Sequence, residues 1–140
     1  MKISTRGRYS LRLMIDLAEN EQEGFITLRD IAERQDISRK YLEQIIPFLN
    51  RSKLLTSNKG HGGGYKIAKD LSQITVKDIL ESAEGSLTPV SCMDDEPNTC
   101  EKCKQCKTLP IYEGLYQVVI DYLEGITLKD IIDGEKQIKG

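Results

Sequence analysis

Four cysteines stand close together in the second half of the chain, as Cys92-x7-Cys100-x2-Cys103-x2-Cys106. Thiolates at two-residue intervals, with a fourth further off, suit the corners of an iron–sulfur cluster. Structural zinc is an alternative, although zinc sites typically use two separated Cys-x-x-Cys knuckles. A thiol redox switch is the third chemistry such a run supports. Lys102, Lys104 and Lys107 interleave the cysteines, where their charge would lower thiolate pKa values and offset cluster charge. Inert buried cysteines are a poor account, because the surrounding segment has almost no apolar company.

The arginines suggest a different chemistry. All of them (Arg6, Arg8, Arg12, Arg29, Arg34, Arg39 and Arg51) lie in the first 51 residues. Residues 1–66 hold 12 Lys and Arg against 8 Asp and Glu, a balance of +4. Residues 67–140 hold 8 against 14, a balance of −6, so the net charge of −2 conceals two unlike halves. Arginine's planar fork suits bidentate contacts to phosphate and guanine. An arginine-rich half joined to an acidic half suggests a nucleic-acid binder with a second module; a solvated helical surface is the plainer alternative.

A chain of 140 residues favours one domain, or one domain with an appendage. Hydrophobic residues make up 39% and charged residues 30%, too apolar for general disorder and too charged for a membrane bundle. No apolar run approaches the ~20 residues needed to span a bilayer. The basic opening is followed by a segment carrying Arg12 and Asp16, where a signal peptide needs an unbroken apolar core. The expectation is a cytoplasmic protein, in which cysteines at this density argue against a disulfide framework.

The elements that must position these residues follow from periodicity and caps. Residues 5–20 read as an amphipathic helix opened by Ser4 or Thr5. Thr27 caps a second helix, with Asp30 in its first turn and Leu28, Ile31 and Ala32 inward, ending near Gln35. After a short turn, Ser38 caps a third helix that faces Leu42, Ile45 and Leu49 inward. Pro47 predicts a bend or an early end there, since it lacks an amide donor. Two short helices joined by a tight turn form a helix-turn-helix. Next come Leu54–Ser57, a glycine-rich tip at 58–64, and Tyr65–Ile67: a hairpin that makes a wing. Thr75 caps a helix over Val76–Glu84. Residues 86–108 hold every cysteine, two prolines and Asp94-Asp95-Glu96, and a loop of that length is usually functional. Pro110 opens a long helix whose apolar stripe is Ile111, Leu115, Val118, Val119, Tyr122 and Leu123. Thr127 caps a last turn or two over Leu128–Ile132. No internal repeat or low-complexity segment is read.

Other chemistries fit less well. A phosphate-binding Walker loop needs glycine where Tyr65 stands, and no Lys-Ser/Thr pair follows the glycines. His61 sits at the wing tip, as a DNA-contacting or solvated residue and not a ligand. The adjacent acids Asp94, Asp95 and Glu96 read as solvated, and Tyr112, Tyr116 and Tyr122 as packing residues. No nucleophile–base pair or convergent polar set suggests an enzyme.

Several segments resemble a known family. Met1–Tyr9, Ile31-Ala32-Glu33-Arg34, Ser38–Gln44 and Gly60-His61-Gly62-Gly63-Gly64-Tyr65 are similar to the IscR-type regulators of the Rrf-two family, and the resemblance spans nearly the whole chain. It implies a bacterial winged-helix transcription factor, a homodimer joined through the long C-terminal helix. Some members control iron–sulfur assembly, some sense nitric oxide, and some control cysteine metabolism without a cluster. In cluster-binding members three cysteines are ligands, and Cys92, Cys100 and Cys106 stand at those positions. Where some members have a histidine ligand this chain has Leu109, and where others use an acidic residue early in the first helix it has Arg8. Cys103 is then the natural candidate for the fourth ligand.

The resulting expectations are specific. The fold is mainly α with a small β-wing: a winged helix-turn-helix domain over 1–84, a cysteine-rich cluster-binding loop over 85–108, and a dimerisation helix with a C-terminal tail over 109–140. The chain is a DNA-binding regulator, a repressor of a palindromic double-stranded operator, with a two-iron or four-iron cluster as sensor and zinc as the alternative cofactor. Its DNA-binding residues are Lys2, Arg29, Ser38, Arg39, Lys40, Tyr41, Glu43, Gln44, Arg51, Lys59, His61 and Gly62. The alternatives are a cluster-carrying electron-transfer or assembly scaffold, and a cluster-free regulator of cysteine metabolism with a zinc or thiol loop.

Overall fold

The computed structural model describes residues 2–60, 63–94 and 106–134. His61, Gly62, Cys100 and Cys103 therefore lie outside the described residues. Helix α1 (Thr5–Glu19) begins where the Ser4 hydroxyl accepts the Gly7 amide at 3.0 Å. Helix α2 (Leu28–Gln35) begins at Thr27, whose hydroxyl accepts from the Asp30 amide, and α3 (Arg39–Arg51) at Ser38, which accepts from the Tyr41 amide. Each cap satisfies a backbone donor that the first helical turn leaves unpaired.

The early end expected at Pro47 does not occur, for α3 runs on to Arg51. Pro47 lies on the exposed face, where the Glu43 carbonyl that loses its amide partner can bond water.

Strands β1 (Leu55–Asn58) and β2 (Gly64–Ile67) pair antiparallel, with Leu55 opposite Ile67 and Asn58 opposite Gly64. On its other edge β2 meets the residue before the α2 cap. The Ile26 amide donates to the Tyr65 carbonyl at 2.9 Å and the Tyr65 amide to the Ile26 carbonyl at 2.8 Å. Gly64 permits this approach, since a Cβ there would overlap the Ile26 carbonyl. The wing is thus stapled at its base to the start of α2.

Helix α4 (Val76–Glu84) opens with a reciprocal Thr75–Asp78 capping box, and α6 (Leu128–Asp133) opens with the same device from Thr127 and Asp130. Between them lies α5 (Leu109–Glu124), with Pro110 in its first turn. The starts of α4 and α6 pair with each other: the Val76 amide donates to Ile126, and the Leu128 amide to Ile74, both at 2.9 Å.

These helix starts overturn the expectation of no internal repeat. Ile26-Thr-Leu-Arg-Asp-Ile-Ala32, Ile74-Thr-Val-Lys-Asp-Ile-Leu80 and Ile126-Thr-Leu-Lys-Asp-Ile-Ile132 are three copies of one heptapeptide. Each places threonine at the N-cap, aspartate three residues on, and isoleucine at the two positions of a hydrophobic staple. The unit is shorter than repeats of structural size, yet it builds three of the six α-helix starts among the described residues.

The main core gathers Leu13, Met14 and Leu17 of α1, Ile31 of α2, Leu42, Ile45 and Leu49 of α3, Ile79 of α4 and Leu128 of α6. A smaller cluster of Val76, Leu80, Leu87, Ile120 and Ile126 seats α5 on α4. The buried residue of α5 is Ile120, which lies outside the apolar stripe read from the sequence, while Leu123 of that stripe packs beside it. Of that stripe, Ile111, Leu115, Val118 and Tyr122 face outward.

Candidate nucleic-acid interface

Burial sorts α3 as its periodicity predicts. Leu42 and Ile45 enter the core, while Ser38, Arg39, Lys40, Glu43 and Gln44 are exposed. Tyr41 is half-buried, its ring edge-on to Tyr9 at 5.3 Å. Arg39 and Glu43 form an exposed ion pair at 3.5 Å, one turn apart. Such a pair is weak, so either side chain can be diverted to another partner.

Beside α3, a groove of about 750 Å³ separates the helix from the wing. Thr27 and Arg29 line it from α2, Arg39, Glu43 and Asn50 from α3, and Ser57, Lys59 and Gly64 from the wing. Arg29, Arg39 and Lys59 are thereby brought to one place from three elements. Arg51 is exposed at the end of α3, its guanidinium 5.4 Å from the centre of the Phe48 ring. Lys2 is placed elsewhere, with Ile3, beside Glu84 and the α5 residues Val119 and Leu123. Sequence reasoning missed Asn50 and the wing residue Ser57. Asn50 stands seven residues after Glu43, two helical turns on, so the helical period would have found it.

The helix-turn-helix is braced by a buried charge. Asp16 of α1 is 1% exposed and accepts from Nη2 and Nε of Arg34, at 2.7 and 3.0 Å, together with the Gln35 side-chain Nε2 at 3.0 Å. The hydrogen bonds that Arg34 donates to Asp16 raise its pKa above the ordinary value, with smaller support from the charges of Asp16, Glu23 and Asp30 against a desolvation penalty.

The cysteine segment leaves α4 at Gly85. The Glu84 carboxylate accepts from the Ser4 amide at 3.0 Å and from its hydroxyl at 2.5 Å, tying this exit to the start of α1. Asp94 accepts from the hydroxyls of Thr88 and Ser86, which hold its carboxyl below the usual range, Thr88 having the larger effect. Cys92 lies in the short 3₁₀ turn Ser91–Met93 that Asp94 closes. Cys106 lies 3.2 Å from the Thr108 hydroxyl, just ahead of α5. That hydroxyl, then the Thr108 and Leu109 amides, lower the Cys106 pKa from its ordinary value. Both cysteines are half-buried free thiols, and among the described residues no three potential ligands are gathered as a metal site.

Known proteins share this fold. Residues 3–134 match the Rrf2 (Rrf-two) family, described as iron-dependent transcriptional regulators. The chain belongs to the Rrf2 family. The transcriptional regulator IscR of Photorhabdus laumondii is 33% identical over 136 residues, 97% of this chain and 82% of that one. The structure of CymR, the global cysteine regulator of B. subtilis, is 35% identical with a TM-score of 0.72, covering 95% of this chain and 97% of that one. T. potens IscR is 33% identical with a TM-score of 0.75, covering all of this chain and 94% of that one. This Rrf2-family chain is accordingly a winged helix-turn-helix transcription regulator, and its relatives are regulators, not enzymes. No described helix is long and apolar enough to cross a membrane.

Proposed function

We propose that the chain is a homodimeric repressor whose affinity for a palindromic operator is set by an iron–sulfur cluster on the cysteine segment. The observation that carries the sensor reading is the environment of Cys106. Its sulfur faces the Thr108 hydroxyl and the first amides of α5, which favour the thiolate that a metal requires. The donor set fits such a cluster: Cys92, Cys100 and Cys106 would hold it, with Cys103 as the fourth ligand. When bound, the cluster supplies a site that iron loss, oxidants or nitric oxide can alter. The segment connects α4 to α5, so its ordering bears on how α5 sits against the winged domain.

At the DNA, α3 enters the major groove. Arg39 would pair with guanine, Gln44 with adenine, and Glu43 would accept from cytosine N4. Lys59 and the wing lie along phosphates or the minor groove. The outward stripe of α5 pairs with its copy about a twofold axis, so two α3 helices meet half-sites roughly 34 Å apart or a multiple of it.

A second reading has its own support in the likeness to the cysteine regulator CymR: the same cysteines act as thiols or hold zinc, without a cluster. Anaerobic reconstitution with iron and sulfide separates the two. Visible absorbance lost in Cys92→Ala, Cys100→Ala and Cys106→Ala, with operator affinity that changes on loading, supports the cluster. A colourless protein carrying zinc, with DNA binding indifferent to iron and sulfide, overturns it. Cys103→Ala tests the fourth ligand: retention of a stable cluster makes Cys103 a bystander. Arg39→Ala should cost ~1–3 kcal/mol at the operator, while Lys59→Ala weakens all sequences alike.

A further inference from the structure

At about 3.6 residues per turn, α3 divides into faces. Arg39, Glu43 and Asn50 point to the groove beside the wing, and Tyr41 and Phe48 point almost the opposite way, toward α1. Lys40, Gln44, Pro47 and Arg51 stand exposed between them. A helix lying in a major groove has a phosphate wall on each side. Arg29 and Lys59 serve the wing side. On the other side lies α1, running antiparallel to α3.

We infer that α1 carries a second phosphate-binding ledge, in which Arg6 and Arg12 grip the DNA backbone on the wall of the major groove opposite the wing. Arg6 donates Nε to the Ala83 carbonyl at 2.7 Å and stacks 4.2 Å from the centre of the Phe48 ring, whose other cation is Arg51 at 5.4 Å. Arg12 lies 5.4 Å from the centre of the Tyr9 ring and donates Nε to the Gln35 side chain at 3.2 Å and Nη2 to the Gln35 carbonyl. Each guanidinium is therefore held by an aromatic ring and a main-chain oxygen, and among the described residues its remaining N–H donors have no partner. Neither has a carboxylate partner among the described residues, unlike Arg34 with Asp16 and Arg39 with Glu43. Uncompensated arginines fixed in place bind phosphate at little further cost in side-chain entropy. Their Cα atoms stand about 9 Å apart along the helix, enough to reach separate phosphates.

This inference rests on the DNA-binding reading above, and the test separates the two. The full chain is titrated with short fluorescent duplexes, one of unrelated sequence and one selected from a random pool, over a range of KCl concentrations. Each phosphate contact contributes about 0.9 to the slope of log affinity against log salt. Arg12→Gln should reduce that slope by about 0.9 and Arg6→Gln/Arg12→Gln by about 1.8, equally on both duplexes, while Arg12→Lys restores the single loss. Melting midpoints equal to the wild type's establish that the fold is intact. Phosphate-ethylation interference on the unaltered protein is independent of any folding defect: blocking modifications should fall on both walls of the major groove. Unchanged slopes in a folded double variant, or interference confined to the wing-side wall, overturn the ledge and leave DNA binding by α3 standing. Absence of salt-dependent DNA binding by the wild type overturns both.

Discussion

In α3, Leu42, Ile45 and Leu49 recur at three- and four-residue steps and are at most 1% exposed. In α5, Ile111, Leu115, Val118 and Tyr122 recur at the same steps and are 66, 43, 68 and 50% exposed. The two helices carry stripes of one kind, but α3 lies against α1, α2, α4 and β1, whereas α5 meets the rest of the chain mainly along α4, through Tyr116, Ile120 and Leu123 and a Lys77–Glu124 ion pair at 2.9 Å. Period and polarity choose which face of a helix is apolar. They do not choose what covers it. A stripe left uncovered within one chain is the surface on which a second copy gains most.

The largest effect should separate the two stripes. Leu42→Ala should cost ~2–5 kcal/mol in urea denaturation, because the cavity opens in a filled core. Leu115→Ala should cost under about 0.5 kcal/mol at high dilution, where only the single chain is probed. A comparable loss there would show that the α5 face is covered from within. On the same face, Val118→Asp should leave the helical circular dichroism intact and turn a sedimenting dimer into a monomer.

The frame that buries α3 depends on one charged group. Arg34→Met leaves the Asp16 carboxylate uncompensated while 1% exposed; the expected loss is ~2–3 kcal/mol, below the full value for a buried pair because Arg34 is itself part-exposed. Stability unchanged in urea would mean that Gln35 and water suffice for Asp16.

A smaller effect tests how α5 is held. The paired helix starts at Thr75 and Thr127 bracket it, and Thr75→Ala or Thr127→Ala should each cost ~1 kcal/mol through the lost cap. Hydrogen exchange should then quicken at the Val76 and Leu128 amides, which bridge the two segments.

The smallest effect lies at the start of α5. Hydrogen bonds from Thr108 and the first amides favour the Cys106 thiolate, so alkylation of Cys106, followed site by site by mass spectrometry, should have its midpoint below the ordinary thiol value. Thr108→Val should move it upward. A lowered folded-state pKa favours the fold above the unfolded thiol's pKa, and that preference is lost as pH falls through the folded value; Cys106 is only half-buried, so solvent screens the effect, which belongs in the reactivity profile and not in the melting curve. An unmoved midpoint in Thr108→Val would remove the hydroxyl from the account.

Caps and inward faces were the most legible features, because each depends on bonds within a few residues. Ser4, Thr27, Ser38, Thr75 and Thr127 all cap where their types predict. The early end expected at Pro47 did not occur because the cost of a missing amide depends on whether the orphaned carbonyl meets water, which is a question of position in the fold. The groove was legible in part. Arg29, Arg39 and Lys59 are charged residues in the expected elements, while Asn50 and Ser57 are uncharged and become lining residues only once α3 and the wing face each other.

By itself, the sequence determined the helix starts, the wing, the polarity of each helix and the gathering of cysteines into one segment, since local hydrogen bonding and side-chain period decide these. Only the tertiary structure decided which apolar face stays open, and that Leu128, far along the chain, completes the core built by α1 to α4. It alone decided that the base of the wing is fastened to the start of α2 through Ile26 and Tyr65. Those outcomes rest on contacts between distant segments, whose free energy depends on how the elements pack and is written in no single stretch of residues.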